Sequence, residues 1–249
     1  MVKLPTLEAY CNTLLDVGSY TDYCPNGLQV DAGQNEVKRL VTGVTASQAL
    51  VDEAVAAGAD VLLVHHGYFW QGEADPLTGI KGCRIRTLIK NNISLLAYHL
   101  PLDAHPELGN NCQLADRLGF ATAQPVGDGL IWQTDLTQPI DAADLSRRIA
   151  KALDREPQYI SSGNQPVRRI GWCSGAAQDY IEAAADLEID AFITGEISER
   201  TVHLARELGI HFYAAGHHAT ERFGVQALGG HLAEQFSLDH RFIDIANPV

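Results

Sequence analysis

The sequence lacks paired cysteines, long hydrophobic runs and an excess of positive charge. Its five cysteines are an odd number and form no C-x-x-C pair, which argues against a disulfide framework or a thiolate zinc knuckle. The longest apolar stretches, such as residues 61–64 and 93–98, are too short to cross a bilayer. The first residues carry no secretory leader pattern. We therefore expect a soluble, cytoplasmic protein with no membrane partner.

Positive charge is scarce, since 18 Lys and Arg residues stand against 31 Asp and Glu residues and give a net charge of −13. Nucleic acid is therefore not an expected partner, because its phosphates attract basic surfaces. The chain also lacks a G-x-S-x-G elbow, a phosphate-binding P-loop and a G-x-G-x-x-G turn after a strand. These absences argue against serine hydrolases, P-loop proteins and dinucleotide-binding enzymes.

The sequence does contain a repeated pattern of apolar runs and helical segments. Residues 40–66 show an apolar run, a turn of small residues, an alanine-rich helical segment and a second apolar run that opens at Asp60. Residues 169–196 repeat this order, with Asp190 in the place of Asp60. Each stretch then continues into a further helix and strand, so the order β-α-β-α-β occurs twice.

Short apolar strands that alternate with helices are typical of α/β proteins with mostly parallel sheets. We predict two similar, duplicated α/β halves at residues 1–124 and 125–249, with a metal site between them. The C-terminal segment could pack back on the first half. A single α/β domain would show the same rhythm, so that alternative stays open.

Candidate metal ligands follow the predicted strands of the first half. In open parallel α/β sheets, ligands bind beyond the carboxyl ends of the strands. His65 and His66 end one strand, and Gly67 permits a bend that would turn both imidazoles toward one cavity. Asp103 follows the next strand, and a carboxylate near histidines suits divalent transition metals. Ordinary interpretations are a packed histidine and a helix-capping aspartate.

The second half offers His217 and Glu221 at the start of a helix. Residues four apart share one helical face, so the pair can ligate one ion or two neighbouring ions, although a surface helix start is the ordinary alternative. The whole set has three imidazoles and two carboxylates. Five such ligands and water suit two ions about 3.5–4 Å apart, which can lower the pKa of a water and orient its attack on a carbonyl, amidine or phosphoryl centre. The metal stays open among Zn, Fe, Mn, Co and Ni.

Seven segments along the chain carry a family resemblance. They are YCPNGLQV at 23–30, TGVTAS at 42–47, VHHG at 64–67, HLPLD at 99–103, NN at 110–111, FITGE at 192–196 and GHHATE at 216–221. In content and order they closely resemble the Nif-three-like dinuclear-metal family, whose members are also called GTP cyclohydrolase 1 type 2 homologues. The likeness spans essentially the whole chain and is closest to the short enterobacterial-type members, which lack an inserted domain.

The resemblance implies a ligand set, an assembly and an activity. The residues at its ligand positions, all matched here, bind two divalent metal ions per chain and are His65, His66, Asp103, His217 and Glu221. It implies a toroidal homohexamer whose metal sites face an internal cavity. It also implies hydrolytic opening of the GTP purine ring with release of formate, and hence a small nucleotide-like substrate.

Other polar residues outside the ligand set are candidates for chemistry. Glu196 lies opposite the histidine pair in the repeat, which makes it a candidate general base or substrate contact. His99 and His203 could orient a ligand or relay a proton. Tyr68 is expected to line the entrance. Plain packing or a surface hydrogen bond is the alternative for each residue.

Three functions are compatible with these residues. The first is a metal-dependent hydrolase, the second is a non-catalytic metal-binding or metal-delivery protein, and the third is a hexameric interaction scaffold with structural metals. A structural site is usually closed by four protein ligands per ion, whereas five ligands for two ions leave open positions. The ligand count therefore favours catalysis or metal exchange.

Overall fold

The computed structural model describes residues 1–33 and 35–249. Its α-helices are α1 (Leu4–Leu14), α2 (Gln48–Ala56), α3 (Gly79–Lys90), α4 (Leu100–Ala104), α5 (Asn110–Leu118), α6 (Ala142–Leu153), α7 (Ile181–Ala185), α8 (Glu199–Leu208) and α9 (His217–Phe236). Its strands are β1 (Val2–Lys3), β2 (Gly27–Val30), β3 (Glu36–Val37), β4 (Arg39–Thr45), β5 (Val61–His66), β6 (Ser94–Ala97), β7 (Gln124–Val126), β8 (Ile131–Ile140), β9 (Gln158–Ile160), β10 (Val167–Trp172), β11 (Ala191–Thr194), β12 (His211–Ala214) and β13 (Asp239–Phe242). Within the described ranges, no helix combines the length and the apolar character that a membrane crossing requires.

The first compact unit comprises Met1–Leu102 and Gly224–Ile245. Its main sheet has the strand order β13-β4-β5-β6-β2. The first four strands in this order are parallel, and β2 pairs antiparallel with β6 at the edge. Fully buried side chains such as Leu62, Leu88 and Leu95 build the core between this sheet and its helices. Because β13 follows α9, a late segment of the chain completes the sheet of the first unit.

The second compact unit comprises Asp103–Phe223 and Ala246–Val249. Its six strands have the order β7-β8-β10-β11-β12-β9, with a parallel centre of β10, β11 and β12 and antiparallel strands on both sides. Trp172, Ile193 and Tyr213 project from the central strands into the core and are fully buried.

Helix α6 shows how the local sequence determines where an element begins and which face it buries. Asp141 precedes the helix, and its carboxylate accepts a hydrogen bond of 2.8 Å from the backbone N–H of Ala143, as an N-cap residue does. Leu145, Ile149 and Leu153 recur every four residues on one face. This apolar stripe is buried in the core of the second unit.

The predicted α/β class with parallel strands is confirmed, and antiparallel edge strands accompany the parallel centres. Strands β6, β11 and β12 are buried along their whole length, whereas β8 has only two buried residues, Trp132 and Thr134, each beside a half-buried neighbour. Alternating strands give a weaker signal than continuous apolar runs, which is why the edges were not predicted. The compact units divide the chain near residue 103. The predicted halves, 1–124 and 125–249, describe duplication along the sequence and not compactness in space, so these boundaries stay a prediction.

Strand register supports the internal repeat. Leu40 on β4 pairs with Val61 on β5, and Ile170 on β10 pairs with Ala191 on β11. The two pairs are related by the same sequence offset that relates Asp60 to Asp190. Equal offsets in both strands of a pair mean that the two units share not only an element order but also a hydrogen-bonding register.

The two aspartates that open these strands explain the shared register. One carboxylate oxygen of Asp60 accepts hydrogen bonds of 2.8 Å from the backbone N–H groups of residues 38 and 39. Asp190 makes the same two contacts, also at 2.8 Å, with the N–H groups of residues 168 and 169. Each carboxylate therefore ties the start of one parallel strand to the start of the next, which fixes the register between the two strands.

We predict that Asp60→Ala and Asp190→Ala each lower the free energy of unfolding by about 1–3 kcal/mol, because each leaves two backbone N–H groups without their charged acceptor. Urea denaturation followed by circular dichroism measures this change. Asp186→Ala is the matched control, since Asp186 is exposed. Equal stability of all three variants would show that the carboxylates do not hold the strands.

Candidate metal centre

In the first unit, the end of β5 places two histidine rings side by side. The ring centroids of His65 and His66 lie 4.5 Å apart, and His65 is fully buried. The Nδ1 atom of His65 is 2.9 Å from the backbone oxygen of Tyr98, and the Nδ1 atom of His66 is 3.0 Å from the hydroxyl of Thr45. A carbonyl oxygen only accepts, so Nδ1 of His65 carries the proton. The lone pair of neutral His65 is therefore on Nε2, the nitrogen that could ligate a metal.

The structure places His99, a candidate for orienting a ligand or relaying a proton, beside this pair. Its ring centroid is 5.1 Å from that of His65 and 5.8 Å from that of His66, and potential ligand atoms of all three lie within 4.8 Å of one another. Asp22 bonds the Nδ1 side of the His99 ring, with 2.7 Å between its Oδ1 and Nδ1. The sequence did not single out Asp22, because 77 residues separate it from His99.

The carboxyl group of Asp22 is strongly stabilised in its ionised form. Burial alone would raise its pKa, but hydrogen bonds from His99 and Asn26, the charge of His99 and a bond from the backbone N–H of Leu100 lower the pKa to about 2. A carboxylate that stays ionised accepts a hydrogen bond from the Nδ1–H group of His99. With the proton held on Nδ1, Nε2 is the nitrogen that carries the lone pair whenever the ring has a single proton.

In the second unit, Asp103 is buried and held by two side chains. The amide of Asn110 donates to its Oδ1 at 2.9 Å, and the hydroxyl of Ser174 donates to the same oxygen at 3.0 Å. Asn111 supports both neighbours, because its Oδ1 accepts from the backbone N–H of Ser174 at 2.9 Å and its Nδ2 donates to the backbone oxygen of Asp103 at 3.3 Å. These contacts orient the carboxylate of Asp103.

His217 and Glu221 lie one turn apart at the start of α9, as predicted, with 3.0 Å between Nε2 of the histidine and Oε2 of the glutamate. Behind the ring, Oε1 of Glu196 is 2.6 Å from Nδ1 of His217. Burial lowers the pKa of His217, but the hydrogen bonds and charges of Glu221 and then Glu196 outweigh it and raise the pKa to about 9. Glu196 thus orients the ring through Nδ1, and Glu221 lies on the Nε2 side, where a metal could bind. Metal-binding histidines commonly bond a carboxylate through their other nitrogen.

Gly175 is required beside this pair for two reasons. Its backbone has φ +68°, a conformation that side chains disfavour. A Cβ atom there would also overlap Oε1 of Glu221 and come within 3.3 Å of Nε2 of His217. The glycine therefore leaves the space that the side chains of His217 and Glu221 occupy.

Two other predicted residues are placed differently. His203 lies on α8 with 63% of its side chain exposed, and its Nε2 is 3.4 Å from Oε1 of Glu199. This contact gives no support to a role in orienting a ligand or relaying a proton, which stays a prediction. Tyr68 is buried and its hydroxyl donates to the backbone oxygen of Ala46 at 2.9 Å. It packs in the core, and the neighbouring Trp70 contacts His66 instead.

The fold and these side chains together define a class, an α/β protein with histidine and carboxylate groups that could hold metal ions at its strand ends. Residues 2–248 match the family model described as Duf34/NIF3 (NGG1p interacting factor 3). The chain belongs to this family, which confirms the resemblance drawn from its motifs.

Relatives match the chain over its full length. A protein of Pseudomonas aeruginosa named GTP cyclohydrolase 1 type 2 homolog is 55% identical, and the match covers 100% of this chain and 99% of the relative. The solved structure of protein ybgI, of unknown function, is 51% identical with a TM-score of 0.96 and full coverage of both chains. TTHA1606 from Thermus thermophilus is 32% identical with a TM-score of 0.92 and the same full coverage.

We predict that Gly175→Ala lowers the affinity for Co(II) by about tenfold or more, since displaced ligand-orienting groups typically cost 10–100-fold. Gly209→Ala is the matched control, because Gly209 has φ +73° but open space where its Cβ would stand. Titration of both variants with Co(II), followed by visible absorption, measures the difference. Equal affinities would mean that the overlap with Glu221 has no effect on metal binding.

Proposed function

We propose that this chain is a metal-dependent hydrolase of a small nucleotide-like molecule, and that it assembles as the homohexamer that the resemblance implies. Its two divalent ions would be held by His65, His66, Asp103, His217 and Glu221. The observation that carries the proposal is the fixed orientation of the imidazoles, because Nδ1 of each ligand histidine is bonded to an oxygen within its own unit. Metal-binding histidines are typically oriented in this way.

The donor set fits divalent transition metals and favours an open site. Imidazole nitrogens and carboxylate oxygens suit Zn, Fe, Mn, Co and Ni. Five protein ligands for two ions are fewer than the four per ion of a closed structural site. When bound, such ions polarise a substrate oxygen and lower the pKa of water toward neutrality.

The residues around the ligands have separate roles in this proposal. His99 is the candidate proton acceptor, because Asp22 holds the proton on its Nδ1 and directs the basic Nε2 away from Asp22. Glu196 is a positioning residue, since it bonds Nδ1 of His217 and so acts through that ring. This assignment replaces the general-base role considered for Glu196 from its place in the repeat.

The substrate class follows from the relatives and remains part of the proposal. Several full-length relatives carry the name GTP cyclohydrolase 1 type 2 homolog. For this chain we propose a purine nucleotide and hydrolytic opening of its purine ring with release of formate. A metal-binding or metal-delivery protein without turnover is the second candidate, since the oriented histidines support metal binding whether or not a reaction follows.

We predict about two metal ions per chain in the wild type and a loss of about one or both in His66→Ala and Asp103→Ala. Each substitution removes one of only five protein ligands that the two ions share. Elemental analysis after loading and dialysis measures the content, and Asp186→Ala is the control for the aspartate. Two ions per chain retained in both ligand variants would overturn the ligand set.

We predict that Glu221→Ala lowers the kcat/KM for the responsive substrate by a factor of about 100 or more, because the carboxylate is lost from the metal centre. The protein is loaded with each metal and screened against GTP, other nucleotides and phosphoesters. Glu199→Ala is the control, since Glu199 is exposed in the first turn of α8. If wild type and Glu221→Ala release product at the same background rate, the hydrolase proposal fails and metal binding without turnover takes its place.

A further inference from the structure

The loop that follows His66 contains a strained residue. Phe69 has φ +64°, in the left-handed region that residues other than glycine rarely adopt. A conformation of this kind persists only where the surrounding structure holds it, and it is found often at functional sites. We therefore expect this loop to do more than connect β5 to α3.

Several hydrogen bonds hold this loop in place. The carboxylate of Glu73 accepts from the backbone N–H of Phe69 at 2.7 Å and from that of Trp70 at 3.2 Å. Lys81 lies 3.5 Å from the same carboxylate, and its ammonium group is 5.5 Å from the centroid of the Phe69 ring. These contacts stabilise the loop and compensate for the strain at Phe69.

These contacts fix the position of Trp70. Its indole N–H donates to the backbone oxygen of Gly67 at 3.2 Å, which fixes the plane of the ring. The ring centroid lies 5.9 Å from that of His66 and 4.9 Å from that of His99, with an interplanar angle of 84° to His99. A half-buried indole, held rigidly beside two histidines, presents aromatic surface next to the proposed chemistry.

Tyr23 adds a second ring at the same place. It is 59% exposed and meets His99 edge to face, with centroids 6.4 Å apart. The backbone N–H of Gln71 donates to the backbone oxygen of Tyr23 at 2.7 Å, so the two segments that carry the rings are joined. The rings of Trp70 and Tyr23 thus both lie against His99, and we refer to these two residues as the aromatic rim.

We propose that the aromatic rim binds a planar heteroaromatic ring, such as the base of a purine nucleotide, by stacking. Every base has a π-face, and stacking on an aromatic side chain needs no particular pattern of hydrogen bonds. The rim thereby brings the ring of the substrate to the histidines. The identity of the substrate rests on the proposed function. The existence of the binding surface does not.

The expected result is ring-dependent quenching of tryptophan fluorescence. Trp132 and Trp172 are buried, so Trp70 is the tryptophan that a bound ring can reach. Guanosine and GTP should quench the metal-loaded wild type, whereas ribose 5-phosphate and tripolyphosphate should not. Absence of quenching by both guanine compounds, or equal quenching by ribose 5-phosphate, overturns the proposal.

Variants separate the rim from the metal site. By calorimetry, Trp70→Leu should weaken guanosine binding about tenfold, and Trp70→Phe should restore most of it. Glu73→Ala, which keeps the indole but removes the anchor of its loop, should also weaken binding. Metal content should match wild type in all three variants, and unchanged guanosine affinity in Trp70→Leu contradicts the inference.

The two proposals fail separately. Loss of guanosine affinity in Trp70→Leu with no turnover in wild type leaves a binding surface and removes the hydrolase. Turnover with an unchanged KM in Trp70→Leu leaves the hydrolase and removes the rim, because lost substrate binding raises KM when chemistry is slow.

Discussion

The hydrogen bond on Nδ1 of each candidate ligand histidine is the interaction on which the candidate site depends. The partners are the carbonyl oxygen of Tyr98, the hydroxyl of Thr45 and the carboxylate of Glu196. Each partner lies at or just beyond the end of a strand, on β6, β4 and β11 respectively. A partner that only accepts, such as the Tyr98 carbonyl oxygen or the Glu196 carboxylate, keeps a proton on Nδ1 and leaves Nε2 as the nitrogen that could ligate a metal. The chemistry of the site therefore depends on where the strands end.

Strand ends depend in turn on register, and this part of the architecture was accessible from the sequence. Asp60 and Asp190 occupy equivalent positions in two similar stretches, and each contacts two backbone N–H groups at the start of the neighbouring strand. A local pattern that occurs twice in one chain is visible without any knowledge of tertiary contacts. The α/β class, the parallel strands and the location of the candidate ligands beyond strand ends could all be predicted from it.

Other features could not be predicted because they arise from contacts between distant parts of the chain. Ser174 donates to Asp103 across 71 residues, and Asp22 meets His99 across 77 residues. Neither pair has a characteristic spacing, so no sequence pattern connected Ser174 with Asp103 or Asp22 with His99. Trp70 was overlooked for a related reason: its position depends on the left-handed backbone at Phe69, and aromatic residues do not signal such a conformation in a sequence.

The shared register also explains why the two units carry different candidate ligands at equivalent positions. The offset that relates Asp60 to Asp190 also relates His65 in the first unit to Gly195 in the second. A Cβ atom at Gly195 would lie 2.6 Å from the Cα of His217 and 2.7 Å from the backbone oxygen of Gly175, so no imidazole can occupy this position. The start of α9 fills the space, and the second unit presents its histidine and glutamate from that helix instead of from the strand. One register is therefore compatible with two kinds of ligand, strand-end imidazoles where the space is open and helix-borne side chains where backbone fills it.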